Sequence, residues 1–80
     1  MIKESFGKTI QIMRKTTGKT QEQTAEETGL SYRYFQKLEA GDQTPHYLNL
    51  FKLAETLQTT PDVIIKDVYR EWVKAGRPED

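Results

Sequence analysis

The 80-residue chain is predicted to be all-α, a compact bundle of five helices with no strands. Three observations carry that expectation. Apolar residues recur at helical spacing, beginning with Phe6, Ile10 and Met13. Glycines and helix-capping residues punctuate the chain at the ends of these runs. Residues 20–41, TQEQTAEETGLSYRYFQKLEAG, place two short amphipathic patterns on either side of a single glycine.

The elements follow in order. Phe6, Ile10 and Met13 give a first helix over about residues 4–16, ending before Gly18. Thr20 is an N-cap for the second helix, and Gln23, three residues later, completes a capping-box pattern. Gly29 ends that helix, because glycine tolerates the left-handed backbone a helix terminus needs. Ser31 caps the third helix, which runs to about Ala40 and stops at Gly41. After the loop Asp42-Gln43-Thr44-Pro45, a fourth helix spans about 46–57 with Leu48, Leu50, Phe51, Leu53, Ala54 and Leu57 largely inward. Thr60-Pro61-Asp62 starts the fifth: a cap, a proline at the first helical position, then an acid near the positive dipole end. It extends to about residue 75, so one domain covers 1–76 and residues 77–80 read as a frayed tail.

Composition narrows the function classes. With 35% apolar and 30% charged residues the chain is soluble and globular, near the lower size at which a lone hydrophobic core suffices. The absence of cysteine excludes a disulfide framework, a thiolate metal site and a cysteine nucleophile. The start, Met1-Ile2-Lys3-Glu4-Ser5, lacks the apolar run of a signal peptide, and no stretch could span a membrane, so a cytoplasmic location is expected. Formal net charge is zero, but unevenly spread. Residues 3–19 carry Lys3, Lys8, Arg14, Lys15 and Lys19 against Glu4, whereas the second helix carries Glu22, Glu26 and Glu27. His46 has no second histidine or cysteine for a metal site, Gly7-Lys8-Thr9 lacks the rest of a phosphate-binding loop, and no serine or threonine has a histidine base placed beside it. Neither catalysis, nor a metal, nor a cofactor is expected.

The spacing within residues 20–41 is that of a helix-turn-helix. Ala25 stands where the helices cross, Gly29 at the bend, and Thr24, Thr28, Leu30, Phe35 and Leu38 face inward. Such a unit presents its second helix to the DNA major groove. With Phe35 and Leu38 fixing the buried side of the third helix, the exposed strip is Tyr32, Arg33, Gln36, Lys37 and Ala40. Arginine makes a bidentate contact to guanine, glutamine to adenine, and lysine to guanine or phosphate. On an isolated helix the same residues would be an ordinary solvated face.

Phe6, Ile10, Arg14, Thr20-Gln21, Ala25, Gly29-Leu30-Ser31, Phe35, Leu38, Glu39, Gly41, Pro45, Leu53-Ala54, Leu57 and Thr60-Pro61-Asp62 together resemble the lambda-repressor-like, Cro/cI-type (XRE) helix-turn-helix family over about residues 6–65. The resemblance implies a sequence-specific regulator whose Tyr32, Arg33, Gln36 and Lys37 meet bases, with phosphate contacts from Thr20, Gln21 and Ser31. It implies a partly buried salt bridge between Arg14 and Glu39. Four positions depart from the family pattern. Thr24 replaces a leucine and Lys19 an apolar residue, predicting a thinner core around the second helix. Ala40 and Asp42 stand where the family often has asparagine or arginine and a basic loop, predicting weaker phosphate binding.

The fifth helix carries more apolar surface than one small core is expected to bury. Ile65, Val68, Tyr69 and Trp72 form a stripe that either folds back on the first and fourth helices or makes a homodimer seam. A dimer would double the few base pairs one recognition helix reads, on a palindromic operator in double-stranded DNA. The expected protein is therefore a small dimeric DNA-binding regulator, with RNA polymerase as a further partner if it activates. The alternative is a protein-interaction module on the same scaffold, antitoxin-like or an anti-regulator partner, favoured by zero net charge and the acidic second helix.

Overall fold

In the computed structural model, which describes residues 2–79, the order is α1 (Ile2–Thr17), α2 (Gln21–Thr28), α3 (Tyr32–Ala40), α4 (Tyr47–Thr56) and α5 (Pro61–Lys74), with no strand among the described residues. Met1, and Asp80 at the end of the expected tail, lie outside the described residues.

Local chemistry sets most of the boundaries. The Thr20 hydroxyl accepts from the Gln23 backbone N–H at 3.1 Å, and Gln23 Oε1 accepts from the Thr20 N–H at 2.9 Å, closing the capping box. Gly29, at φ 79°, turns the chain left-handed, and its own N–H and that of Leu30 return to carbonyls of the last turn of α2. The Ser31 hydroxyl accepts from the Tyr34 N–H at 3.1 Å and starts α3. The start of α5 differs from expectation. Thr60 makes no side-chain cap bond there. Its side chain bonds Asp62 instead, and that bond, followed by the backbone N–H groups of Asp62 and Val63, holds the Asp62 carboxyl below its ordinary 3.8. The carboxylate form is the one these donors favour, so their contribution is intact above pH 3.8 and fades as acidification protonates it.

The end of α4 carries a strained residue. Gln58 sits at φ 58° without being glycine, one place past the cap Leu57, while the Thr59 N–H closes onto the Ala54 carbonyl at 2.9 Å. A side chain there costs about 1–2 kcal/mol, partly offset by the greater unfolded-state freedom of glycine. Gln58→Gly is expected to stabilise the domain by about 0.5–1 kcal/mol, read as a higher midpoint in thermal denaturation.

The core is Phe6 and Ile10 from α1, Ala25 from α2, Phe35 and Leu38 from α3, Leu50, Leu53 and Ala54 from α4 with Leu57, and Ile64 and Val68 from α5; Met13, Leu30 and Tyr34 pack against it. The helix α1 packs against both α3 and α5, α2 meets α3 and α4, and α4 meets α5. From α2 only Thr24, Ala25 and Thr28 are buried. Both threonine hydroxyls donate to the carbonyl four residues back, Thr24 to Thr20 at 2.9 Å and Thr28 to Thr24 at 2.7 Å. That local bonding lets α2 bury hydroxyls with no loss of partner, and no buried side-chain polar atom among the described residues lacks one.

The inward set expected for α4 is too large. Leu50, Leu53, Ala54 and Leu57 are buried, but Leu48 is 56% and Phe51 50% exposed, beside Tyr47 at 79%. Helical geometry explains the split. The buried four form one stripe along the helix, and Leu48 falls on the opposite side of it with Phe51 well off its edge.

Candidate nucleic-acid interface

Two things hold α3 in place: a polar clasp beneath it and a close backbone contact behind it. The clasp centres on Glu39, whose side chain is 2% exposed, and Arg14, at 10%. Arg14 Nε donates to Glu39 Oε2 at 2.5 Å and Arg14 Nη2 donates to Oε1 at 3.1 Å, a bidentate pair joining α1 to α3. Arg14 Nη1 donates to the Lys19 carbonyl at 2.9 Å and so holds the turn that enters α2. Behind the helix, a Cβ added at Gly7 would lie 2.5 Å from the Glu39 carbonyl oxygen and 2.7 Å from that of Leu38. Only glycine permits α1 to lie this close to the last turn of α3.

The outer face of α3 then carries the expected strip. Tyr32, Arg33, Gln36 and Ala40 are exposed and Lys37 is half-buried, while Tyr34 turns inward onto the core. Among the described residues, Arg33, Gln36 and Lys37 have their polar ends committed to no hydrogen bond or ion pair. The three phosphate candidates border this face. Thr20 and Ser31 use their oxygen lone pairs as cap acceptors, which leaves each O–H hydrogen available to donate outward. Gln21 is half-buried and donates from Nε2 to Glu39 Oε1 at 2.9 Å, a contact that sequence spacing alone does not reveal.

The positive charge of residues 3–19 does not gather into one basic face. Lys8 pairs with Glu71 of α5 at 3.4 Å, Lys19 pairs with Glu27 of α2 at 2.7 Å, and Arg14 is sequestered by Glu39. A cluster of bases counted along the sequence thus becomes a set of ion pairs spread over several directions. Among the described residues, Lys3 and Lys15 are the bases of that stretch that make no ion pair.

The apolar stripe of α5 is divided. Ile65 and Tyr69 are 54% and 56% exposed, whereas Val68 faces the core and only floors the surface. Trp72 is half-buried, tilted against Tyr69 at 5.9 Å between ring centroids, and donates from Nε1 to the Pro78 carbonyl at 2.9 Å. These residues and Ile2 line a groove of about 240 Å³. A second hollow of about 250 Å³ continues it past Pro45 and Leu50 to Tyr47, which stacks on Phe51 at 6.3 Å. The exposed apolar surface therefore spans α1, α4 and α5. Ile2 and the α4 residues escaped the sequence reading because their types suit a core equally well.

A short left-handed glycine bend between two capped helices, with the second helix presenting an uncommitted polar strip, defines a helix-turn-helix protein. The chain belongs to the helix-turn-helix family, whose model matches residues 10–64, and to its Cro/cI-type (XRE) branch. It is 41% identical over 49 residues to the cryptic phage CTXphi transcriptional repressor RstR of Vibrio cholerae, a match covering 61% of this chain and 44% of that repressor. Among solved structures, the restriction-modification controller protein C.AhdI from Aeromonas hydrophila superposes with a TM-score of 0.75 at 29% identity, over 78% of this chain and 94% of that one. The clp gene regulator ClgR from Corynebacterium glutamicum superposes with a TM-score of 0.86 over 96% of this chain and 83% of that one; at 19% identity it shows the fold alone. Among the described residues no helix is long and apolar enough to cross a membrane.

Proposed function

We propose that this chain is a transcriptional regulator that binds a specific double-stranded DNA sequence as a homodimer, with α3 in the major groove. The observation that carries the proposal is the outer strip of α3, where Arg33, Gln36 and Lys37 stand beside Tyr32 without internal partners on a helix held rigidly from behind. Thr20, Gln21 and Ser31 are the phosphate contacts that set the register, and the relative that is a phage repressor favours repression by occupying promoter DNA. Activation would instead require contact with RNA polymerase. The exposed surface of Ile65, Tyr69, Tyr47 and Phe51 supplies the dimer seam, since a contiguous apolar patch on a small domain marks an interface.

Selection of bound sequences from a random duplex library tests this directly. A palindromic motif is expected, with affinity falling steeply as salt rises. Within that motif, Arg33→Ala is expected to cost about 1–3 kcal/mol and to relax preference at one base pair, measured by titrating single-position operator variants. Sedimentation equilibrium that finds only monomer at high micromolar concentration would remove the dimer. The same apolar surface and the zero net charge favour a second reading, a protein-interaction module. It would be preferred if the selection yields no motif and a protein partner is retained independently of salt.

A further inference from the structure

Glu39 lies near the end of α3, yet its carboxylate reaches the first residue of α2. Oε1 accepts from both Arg14 Nη2 and Gln21 Nε2, while Oε2 accepts from Arg14 Nε. The Arg14 and Glu39 side chains are almost fully enclosed, so Gln21 is where this group of three meets solvent. A primary amide has two N–H donors on one planar nitrogen. When Glu39 takes one of them the plane is fixed, and the second N–H is held in a single direction. A free glutamine would have to lose its rotamer freedom at the moment of binding; this one has lost it on folding. Charge matters as well. A lone carboxylate beside a DNA phosphate would repel it, but the bidentate Arg14 cancels that charge locally.

We propose that Glu39 is a positioning residue for DNA phosphate binding. It orients the Gln21 amide so that the free N–H is presented to a phosphate oxygen, and Arg14 keeps the pair neutral. The proposal rests on the DNA-binding reading and adds to it a mechanical link. One carboxylate oxygen ties the phosphate contact of α2 to the end of the helix that enters the groove. Arg14, through the Lys19 carbonyl, fixes the approach of the chain to the same point.

The test is a double-mutant cycle read by fluorescence-anisotropy titration of a selected duplex. The proteins are wild type, Gln21→Ala, the apolar pair Arg14→Met/Glu39→Leu, and the triple variant, each checked for folding by circular dichroism. Gln21→Ala is expected to weaken wild-type binding about tenfold but to change the apolar-pair background by no more than about twofold. A tenfold loss in both backgrounds overturns the proposal, because a merely structural pair would leave the Gln21 increment intact. If the apolar pair does not fold, side-chain amide NMR of the unmodified protein decides. An ordered Gln21 amide with two distinct, slowly exchanging N–H signals is expected, one of which moves when duplex is added. An amide averaging like a surface glutamine overturns it. Should wild type bind no duplex at all, the DNA-binding reading fails; additive losses with intact wild-type binding remove only the role of Glu39.

Discussion

Replacing Gly7 by alanine is expected to destabilise the domain by about 2–3 kcal/mol, lowering the thermal midpoint by roughly 10–20 °C. Helix propensity argues the other way, since alanine in a helix interior is favoured over glycine by about 1 kcal/mol. Packing decides the sign. The new methyl would sit 2.5 Å and 2.7 Å from two backbone carbonyl oxygens in the last turn of α3. Neither can rotate away as a side-chain tip would, so α1 and α3 must separate. Because α1 also meets α5, the shift would propagate through the bundle. Thermal and urea denaturation followed by circular dichroism measure the loss. An alanine variant as stable as wild type would show that the two helices are not held at this separation in solution.

The largest single-residue effect is expected at Glu39. Glu39→Ala leaves the enclosed Arg14 guanidinium with the Lys19 carbonyl and no counter-charge, and breaking a buried pair from one side costs about 3–5 kcal/mol. That is comparable to the whole stability of many small domains, so a large unfolded fraction is expected near physiological temperature. Arg14→Met/Glu39→Leu, which removes both charges and refills the space, is expected to recover most of it. The contrast between the single and paired variants, measured by urea denaturation, separates the penalty of a stranded charge from the net worth of the pair. Equal destabilisation by both would mean that the ion pair itself, rather than avoidance of an orphaned arginine, holds α1 to α3.

What the sequence made legible is what is encoded within a few residues. The Thr20–Gln23 capping box, the Ser31 cap and the Gly29 bend are reciprocal bonds between near neighbours, and they place α2 and α3 with little reference to the rest of the chain. The outer strip of α3 followed from the same logic once Phe35 and Leu38 fixed the buried side. Contacts between distant segments were not legible from spacing. Gly7 reads as an unremarkable residue within a helical run until the carbonyls it faces are known. Lys8, Lys19 and Gln21 read as exposed polar groups, and only the packing reveals their acidic partners Glu71, Glu27 and Glu39. The misplacement of Leu48 and Phe51 has a related cause. An apolar residue on an amphipathic helix is equally suited to a core or to an interface, and α4 has more of them than its buried stripe holds.

The threonine-lined underside of α2 has a consequence for motion. A helix of eight residues whose buried contribution is Ala25, Thr24 and Thr28 has little hydrocarbon anchoring it, and its hydroxyl bonds are local, so they survive whether or not the helix stays docked. Beyond the Gln21–Glu39 bond that pins its first residue, the segment that would grip phosphate is thereby weakly anchored, and the backbone amides of its last turn should exchange with solvent through excursions that leave α1 and α5 intact. A bound duplex would suppress those excursions. Part of what distinguishes a cognate site from an arbitrary one would then be the quieting of α2, felt as a loss of motion in the protein rather than as another contact to a base.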